Sequence, residues 1–135
     1  MTTTDPVLAA TLERWHHCVT TRDMTTLREL LHPDAVFRSP VAHKPYPGAA
    51  AVELILSTVV QVFEDFTYHR TFVTDDSRSV VLEFSARVGD RALKGIDMIR
   101  IDDDGRIVDF EVMVRPRSGL QALADEMGAR LAAYL

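Results

Sequence analysis

From Phe66 to Arg115 the hydrophobic period of this chain is two, broken only by short polar turns. Successive side chains of a strand point to opposite faces, so a stretch of this kind becomes a sheet with one apolar side. The alternation predicts strands from Phe66 to Thr74, Ser79 to Val88, Ala92 to Asp102 and Arg106 to Arg115. Asp75-Asp76-Ser77, Gly89-Asp90 and Asp103-Asp104-Gly105 join them into an antiparallel meander. A sheet with one apolar face needs a cover.

The rest of the chain supplies that cover as helices. Asp5-Pro6 is a helix start, after which Leu8, Leu12, Trp15 and Val19 recur at helical spacing. Thr25 to Leu31 reads as a short second helix closed by His32-Pro33, and the residues from Asp34 to Ser39 as a short strand. Pro40, Pro45 and Pro47 make the next stretch a loop of fixed shape. A third helix runs from Gly48 to about Phe63, buried through Val52, Ile55, Leu56, Val59, Val60 and Phe63. A last one runs from Gly119 to Tyr134 through Leu120, Leu123, Met127 and Leu131. A chain of 135 residues buries roughly two thirds of its unfolded surface, which suits one domain over residues 1–135.

Charge and composition narrow the partners. The net charge of −5, without a basic cluster, argues against nucleic acid. No stretch reaches the ~20 apolar residues that span a bilayer, and Met1 to Pro6 lacks the basic start and apolar run of a secretory signal, so the expectation is no membrane and a cytoplasmic location. Cys18 is the only cysteine, read as a buried thiol with no intrachain disulfide. His16 and His17 are adjacent on a helix and diverge. With no His-x-x-x-His pair and no glycine-rich phosphate loop, neither a metal nor another cofactor is expected. Asp102-Asp103-Asp104-Gly105 reads as a hairpin turn.

Splitting the strands by parity isolates one residue. One face carries Val80, Leu82, Phe84 and Ala86, then Leu93, Gly95, Asp97, Ile99 and Ile101, then Val108, Phe110, Val112 and Val114. Asp97 is its single ionisable member. A buried carboxylate without a partner costs several kcal/mol or stays protonated, so Asp97 is either bonded to a hydroxyl or backbone group or put to use. The other face mixes charges with Ile96, Met98 and Met113, and this apolar trio favours a homodimer through that face.

The segment Ala92-Leu93-x-x-Ile96-Asp97-x-x-Arg100-x-Asp102-x-x-Gly105-Arg106-Ile107 resembles ketosteroid isomerases of the nuclear transport factor 2-like superfamily, which also holds SnoaL-type cyclases and limonene epoxide hydrolases. The order of elements is similar to that superfamily over nearly the whole chain. The resemblance implies an α+β fold: a cone-shaped α+β barrel with three N-terminal helices packed on a curved antiparallel (mixed) sheet and a C-terminal helix, commonly dimeric, with a deep apolar cavity.

It implies for Asp97 the role of a protonated acid that donates to a substrate oxyanion. The isomerase tyrosine falls at Trp15 and its proton-moving aspartate at Ser39. The hydrolase Asp, Arg and Asp look like Phe84, Ala86 and Val112. Phe37-x-Ser39-Pro40-Val41-x-His43 and Val112-Met113-Val114-Arg115-Pro116 resemble uncharacterised bacterial SnoaL-like proteins.

Two functional readings follow. In the first, a small hydrophobic molecule enters an apolar cavity and is turned over by an isomerase, cyclase or hydrolase. Asp97 and His43 would be the catalytic pair, with Trp15, Phe37, Ser39, Tyr46, Phe63, Phe84, Phe110 and Val112 around the ligand. In the second, the chain is a non-catalytic binding or dimerisation module whose interior is filled by its own side chains. His43 as a solvated loop residue, Ser39 as a turn residue and the aromatics as plain core belong to that second reading.

Overall fold

A computed structural model describes residues 5–134. Met1–Thr4, on which much of the expectation about a secretory leader rests, lie outside the described residues. Helix α1 spans Pro6–Thr21, started by Asp5, whose Oδ1 accepts from the amides of Val7 and Leu8 at 3.1 and 3.0 Å. It ends where Arg22 turns left-handed at φ 57°. The short α2 (Leu27–Leu30) follows, then β1 (Leu31–Arg38), β2 (Tyr46–Pro47) and α3 (Ala49–Val62).

Strands β3 (Glu64–Val73), β4 (Ser79–Val88), β5 (Arg91–Ile101) and β6 (Ile107–Arg115) form the meander, and α4 (Arg117–Leu131) closes the chain. The sheet order is β2-β1-β6-β5-β4-β3. Every pair is antiparallel except β1 with β6, which is parallel. The fold is therefore α+β with a mixed, curved sheet, as the resemblance implies. Shifts of register in β1, β3 and β6 mark bulges, which bend a sheet and increase its twist.

Three local readings need correction. His32-Pro33 does not close a helix before the strand but lies inside β1. Leu31 pairs with Ile107 and Val36 with Asp109, so the residues between them bulge away from β6, where the missing N–H of Pro33 leaves no ladder bond unmade. Tyr46–Pro47, read as loop, is a two-residue edge strand on β1, and Pro47 is tolerated there because the edge has no further neighbour. Strict parity also fails at the start of β6. Arg100 pairs with Asp109 but Ile101 with Ile107, so Val108 is extra and Ile107, rather than Val108, is fully buried.

The inner face of the sheet holds the core. Leu82, Phe84, Ile99, Ile107 and Phe110 are almost completely buried, with Leu8, Trp15, Val52, Leu56 and Leu123 of the helices against them. Helix α3 packs on β1 and α4, and α4 on β4, β5 and β6. Gly95 fits this layer for a steric reason. It sits opposite Phe84 in the β4–β5 ladder, and a Cβ at Gly95 would overlap the Phe84 ring and the Met113 carbonyl. The missing side chain seats Phe84 low, beneath the rings of Phe63, Phe66 and Tyr68.

Candidate functional site

Asp97 sits mid-strand in β5, between Leu82 of β4 and Val112 of β6, and is 6% exposed. Its position follows from parity alone. Its partner does not: Tyr68 reaches across from β3 and donates its hydroxyl proton to Asp97 Oδ2 at 2.5 Å. Trp15 of α1 donates Nε1–H to the Tyr68 oxygen at 2.9 Å. An indole N–H can only donate, so the tyrosine oxygen accepts from Trp15 and its one proton is directed at Asp97. The result is a one-way donor chain from helix to sheet.

The chain of bonds ends on an open oxygen. Among the described residues no buried side-chain nitrogen or oxygen lacks a hydrogen-bond partner. Among those residues Asp97 is bonded only through Oδ2. Oδ1 therefore reaches open space, and that space is a cavity of about 190 Å³ between sheet and helices. Its described lining residues are apolar apart from Asp97, Ser39, Tyr46, Tyr68 and Arg22. The exposed lining residues Arg22, Val41 and Gly128 mark the mouth.

Burial dominates the electrostatics. Removing water from Asp97 raises its pKa from 3.8 to about 7, against the opposing effect of the Tyr68 hydrogen bond. Both protonation states are then populated near neutral pH, the condition under which a group best gives and takes protons. Burial, then the neighbouring carboxylate, pushes Tyr68 well above its ordinary range, so it stays a donor. His16 packs edge-on against the Tyr68 ring, centroids 5.2 Å apart, and its own burial lowers its pKa. A neutral His16 holds the ring without adding charge beside Asp97.

The cavity brings together most of the residues singled out in the sequence. Trp15, Phe37, Ser39, Tyr46, Phe63, Phe110 and Val112 line it with Asp97. Trp15 meets Phe110 edge-on at 5.2 Å, and Phe37 stacks on Phe110 at 6.0 Å. Phe84 is not a lining residue: fully buried, it packs against Phe63, Phe66 and Tyr68. His43 is exposed in the loop before β2 and is not among the lining residues, so the structure does not bring it to Asp97. Ser39 takes the Val41 amide at 3.1 Å in a turn and still faces the cavity.

Tyr68 was missed, although Phe66 and Tyr68 alternate in the predicted strand. The bulge between Tyr68 and Thr71 shifts the inward set to Phe66, Tyr68, Thr71 and Val73, so no single parity describes β3. Among the described residues no group of His, Cys, Asp or Glu is arranged to hold a metal, and no helix is long and apolar enough to cross a membrane.

A family model described as a SnoaL-like domain matches residues 12–110, and the chain belongs to that family. Its fold is that of the nuclear transport factor 2-like proteins. A crystal structure described as a steroid delta-isomerase from Pseudomonas aeruginosa is 69% identical, with TM-score 0.93, covering 96% of this chain and 95% of that one. An uncharacterised bacterial protein with a cystatin-like fold from Silicibacter pomeroyi is 34% identical, with TM-score 0.85 and coverage of 92% and 86%. An NTF2-like protein of unknown function from Mesorhizobium loti, 22% identical, shares the fold at TM-score 0.71, with coverage of 82% and 92%. No curated protein matches the sequence.

The raised pKa makes stability depend on pH. A carboxyl with a folded pKa of about 7 and an unfolded one near 3.8 holds its proton more tightly when folded. Its contribution is therefore most favourable below about pH 4 and is lost as the pH rises to 7, by on the order of 4 kcal/mol. Asn cannot ionise. Urea unfolding of Asp97→Asn and the parent should show the variant gaining relative stability between pH 4.5 and 8, whereas a gap independent of pH would mean that Asp97 titrates normally.

Proposed function

We propose that this chain binds a small, mostly apolar ketone in the cavity and moves one of its protons, with Asp97 as the proton carrier. One observation carries the reading: a single carboxyl oxygen, Oδ1 of Asp97, opens into a space otherwise lined by apolar and hydroxyl-bearing residues, with Arg22 at its mouth. Ionised Asp97 takes a proton from the carbon beside the ketone, and the C–H electrons pass to the oxygen as an enolate. The hydroxyls of Tyr46 and Ser39 line the same cavity and are the donors available to that oxygen. For a double bond to move, the ketone must be β,γ-unsaturated: its enolate is then a dienolate, and Asp97, now neutral, returns the proton to the γ carbon as the carbonyl re-forms, so the double bond shifts into conjugation with no net gain or loss of atoms.

The 69% identity to a protein described as a steroid delta-isomerase supports a reaction of this type. The cavity, about 190 Å³, is smaller than the roughly 300–1,000 Å³ of sites that enclose drug-sized ligands, which favours a compact substrate or one that protrudes through the mouth. His43 has no part in this scheme.

The second reading is a binder without turnover. It draws on the fact that no other carboxyl and no imidazole lines the cavity among the described residues, which leaves neutral Asp97 as a donor to a bound oxygen. The two readings differ in sign with pH. Isomerisation of cyclohex-3-enone and of a steroid 5-en-3-one, followed by absorbance of the conjugated product, should rise in kcat/KM with pH and level off above about 7. Asp97→Asn should lower it by about a hundredfold or more. No turnover, together with ketone binding that weakens above pH 7, would establish the binder instead.

We further propose a homodimer through the outer face of the sheet. Ile96 and Met113 lie directly opposite on β5 and β6. Met98, two pairs further on and next on that face, is 37% exposed and Met113 is 47% exposed. Charged Arg100, Asp109, Glu111 and Arg115 share that outward face around the apolar residues, the mix of apolar centre and polar surround that an interface carries. Sedimentation should give a dimer for the parent and a monomer for Met113→Glu, and a monomeric parent would refute the contact.

A further inference from the structure

Among the described residues two charged ones line the cavity, and they stand at different depths. Asp97 is at the floor, 6% exposed, while Arg22 is at the mouth among the exposed lining residues. Arg22 follows the last turn of α1, about 10 Å further along the helix axis than Trp15, which anchors the donor chain to Asp97. Its Nη2 donates to the Phe63 carbonyl at 3.1 Å, which fixes the guanidinium at the rim beside the end of α3. No ion pair and no second hydrogen bond engages Arg22 among the described residues, so its other N–H groups are open at the cavity mouth.

Several other basic side chains on this protein are paired with carboxylates, including Arg14, Arg38, Arg70, Arg78, Arg87 and Lys94. Arg22 differs in lining a cavity and in making no ion pair among the described residues. A guanidinium presents paired donors that match a carboxylate in geometry as well as charge. Because the chain as a whole carries −5, general electrostatic attraction for anions is absent and any preference for one is local to this rim.

We propose that Arg22 is a specificity-determining residue and that the natural ligand is an apolar keto acid, its ketone at Asp97 and its carboxylate at Arg22. The assignment rests on the ketone-binding reading above and deepens it by naming the far end of the ligand. The enclosed apolar walls between the two charges take the hydrocarbon part, with Trp15, Phe63 and Phe110 around it.

Trp15 is the only tryptophan and lines the cavity, so its fluorescence reports occupancy. The probes are 4-(3-oxobutyl)benzoate and its uncharged counterpart 4-phenylbutan-2-one, titrated into the parent protein, Arg22→Gln and Arg22→Lys. The carboxylate should bind the parent about tenfold more tightly than the ketone, with the preference shrinking at high salt. Arg22→Gln, which removes the charge, should abolish the preference by weakening the carboxylate far more than the uncharged ketone, while Arg22→Lys should keep part of it.

Equal affinity of the two probes for the parent would overturn the assignment while leaving the ketone reading intact, and this comparison needs no variant. An equal loss for both probes in Arg22→Gln would reduce Arg22 to a staple between α1 and α3. If neither probe changed Trp15 emission, the ketone reading itself would fail, and the keto-acid assignment with it.

Discussion

The hydrogen bond from Tyr68 to Asp97 is the interaction on which the interior of this protein depends. A carboxyl placed on the apolar face of a sheet must find a partner or shed its charge, and here it does some of each. Tyr68 stabilises the ionised form, burial the neutral one, and the balance falls near neutrality. Trp15 settles the direction of the network because it can only donate. With that direction fixed, Asp97 has one oxygen bound to the protein and one facing the cavity.

Packing around the trio follows from the same need. The Tyr68 ring has to stay in place across β4, and it is held by Phe66 at 4.8 Å, His16 at 5.2 Å and Phe84 at 6.5 Å, all meeting it edge-on. Phe84 can lie low enough only because Gly95 lacks a side chain. His16, Phe84 and Gly95, which do not line the cavity, thus help determine what its acid does. Elsewhere on the sheet the opposite solution is used: Glu83, with the same small exposure, is held ionised by Arg70 and Lys94, whose hydrogen bonds drive its pKa far below the ordinary range. Two carboxyls on neighbouring strands and opposite faces are tuned in opposite directions, one by cations and one by apolar burial.

Much of this was legible in the sequence. Alternation located four strands and the inner face, and Asp97 stood out as the one acid on it. The resemblance then supplied the fold that the structure has. Local physics was harder to see. A proline normally ends a helix, but Pro33 fits a bulge whose existence depends on the distant pairing of β1 with β6. Ile107 and Val108 exchange places through a bulge that no local pattern announces. His43 was weighed as the partner of Asp97 because of its loop, whereas the group beside Asp97 is Tyr68, which meets it across an intervening strand. Contacts of that kind are set by register and not by spacing along the chain. Arg22 offered no sequence signal at all, since a polar residue after a helix is ordinary until a cavity opens beside it.

Titration of the Asp97 carboxyl by carbon-detected NMR, assigned by loss of its signal in Asp97→Asn, tests the central claim most directly. The account requires a midpoint of about 7, from burial beside an apolar cavity. A midpoint in the ordinary carboxylate range, near 4, would mean that water or an unrecognised cation reaches Asp97, and would contradict its role as a proton carrier at neutral pH.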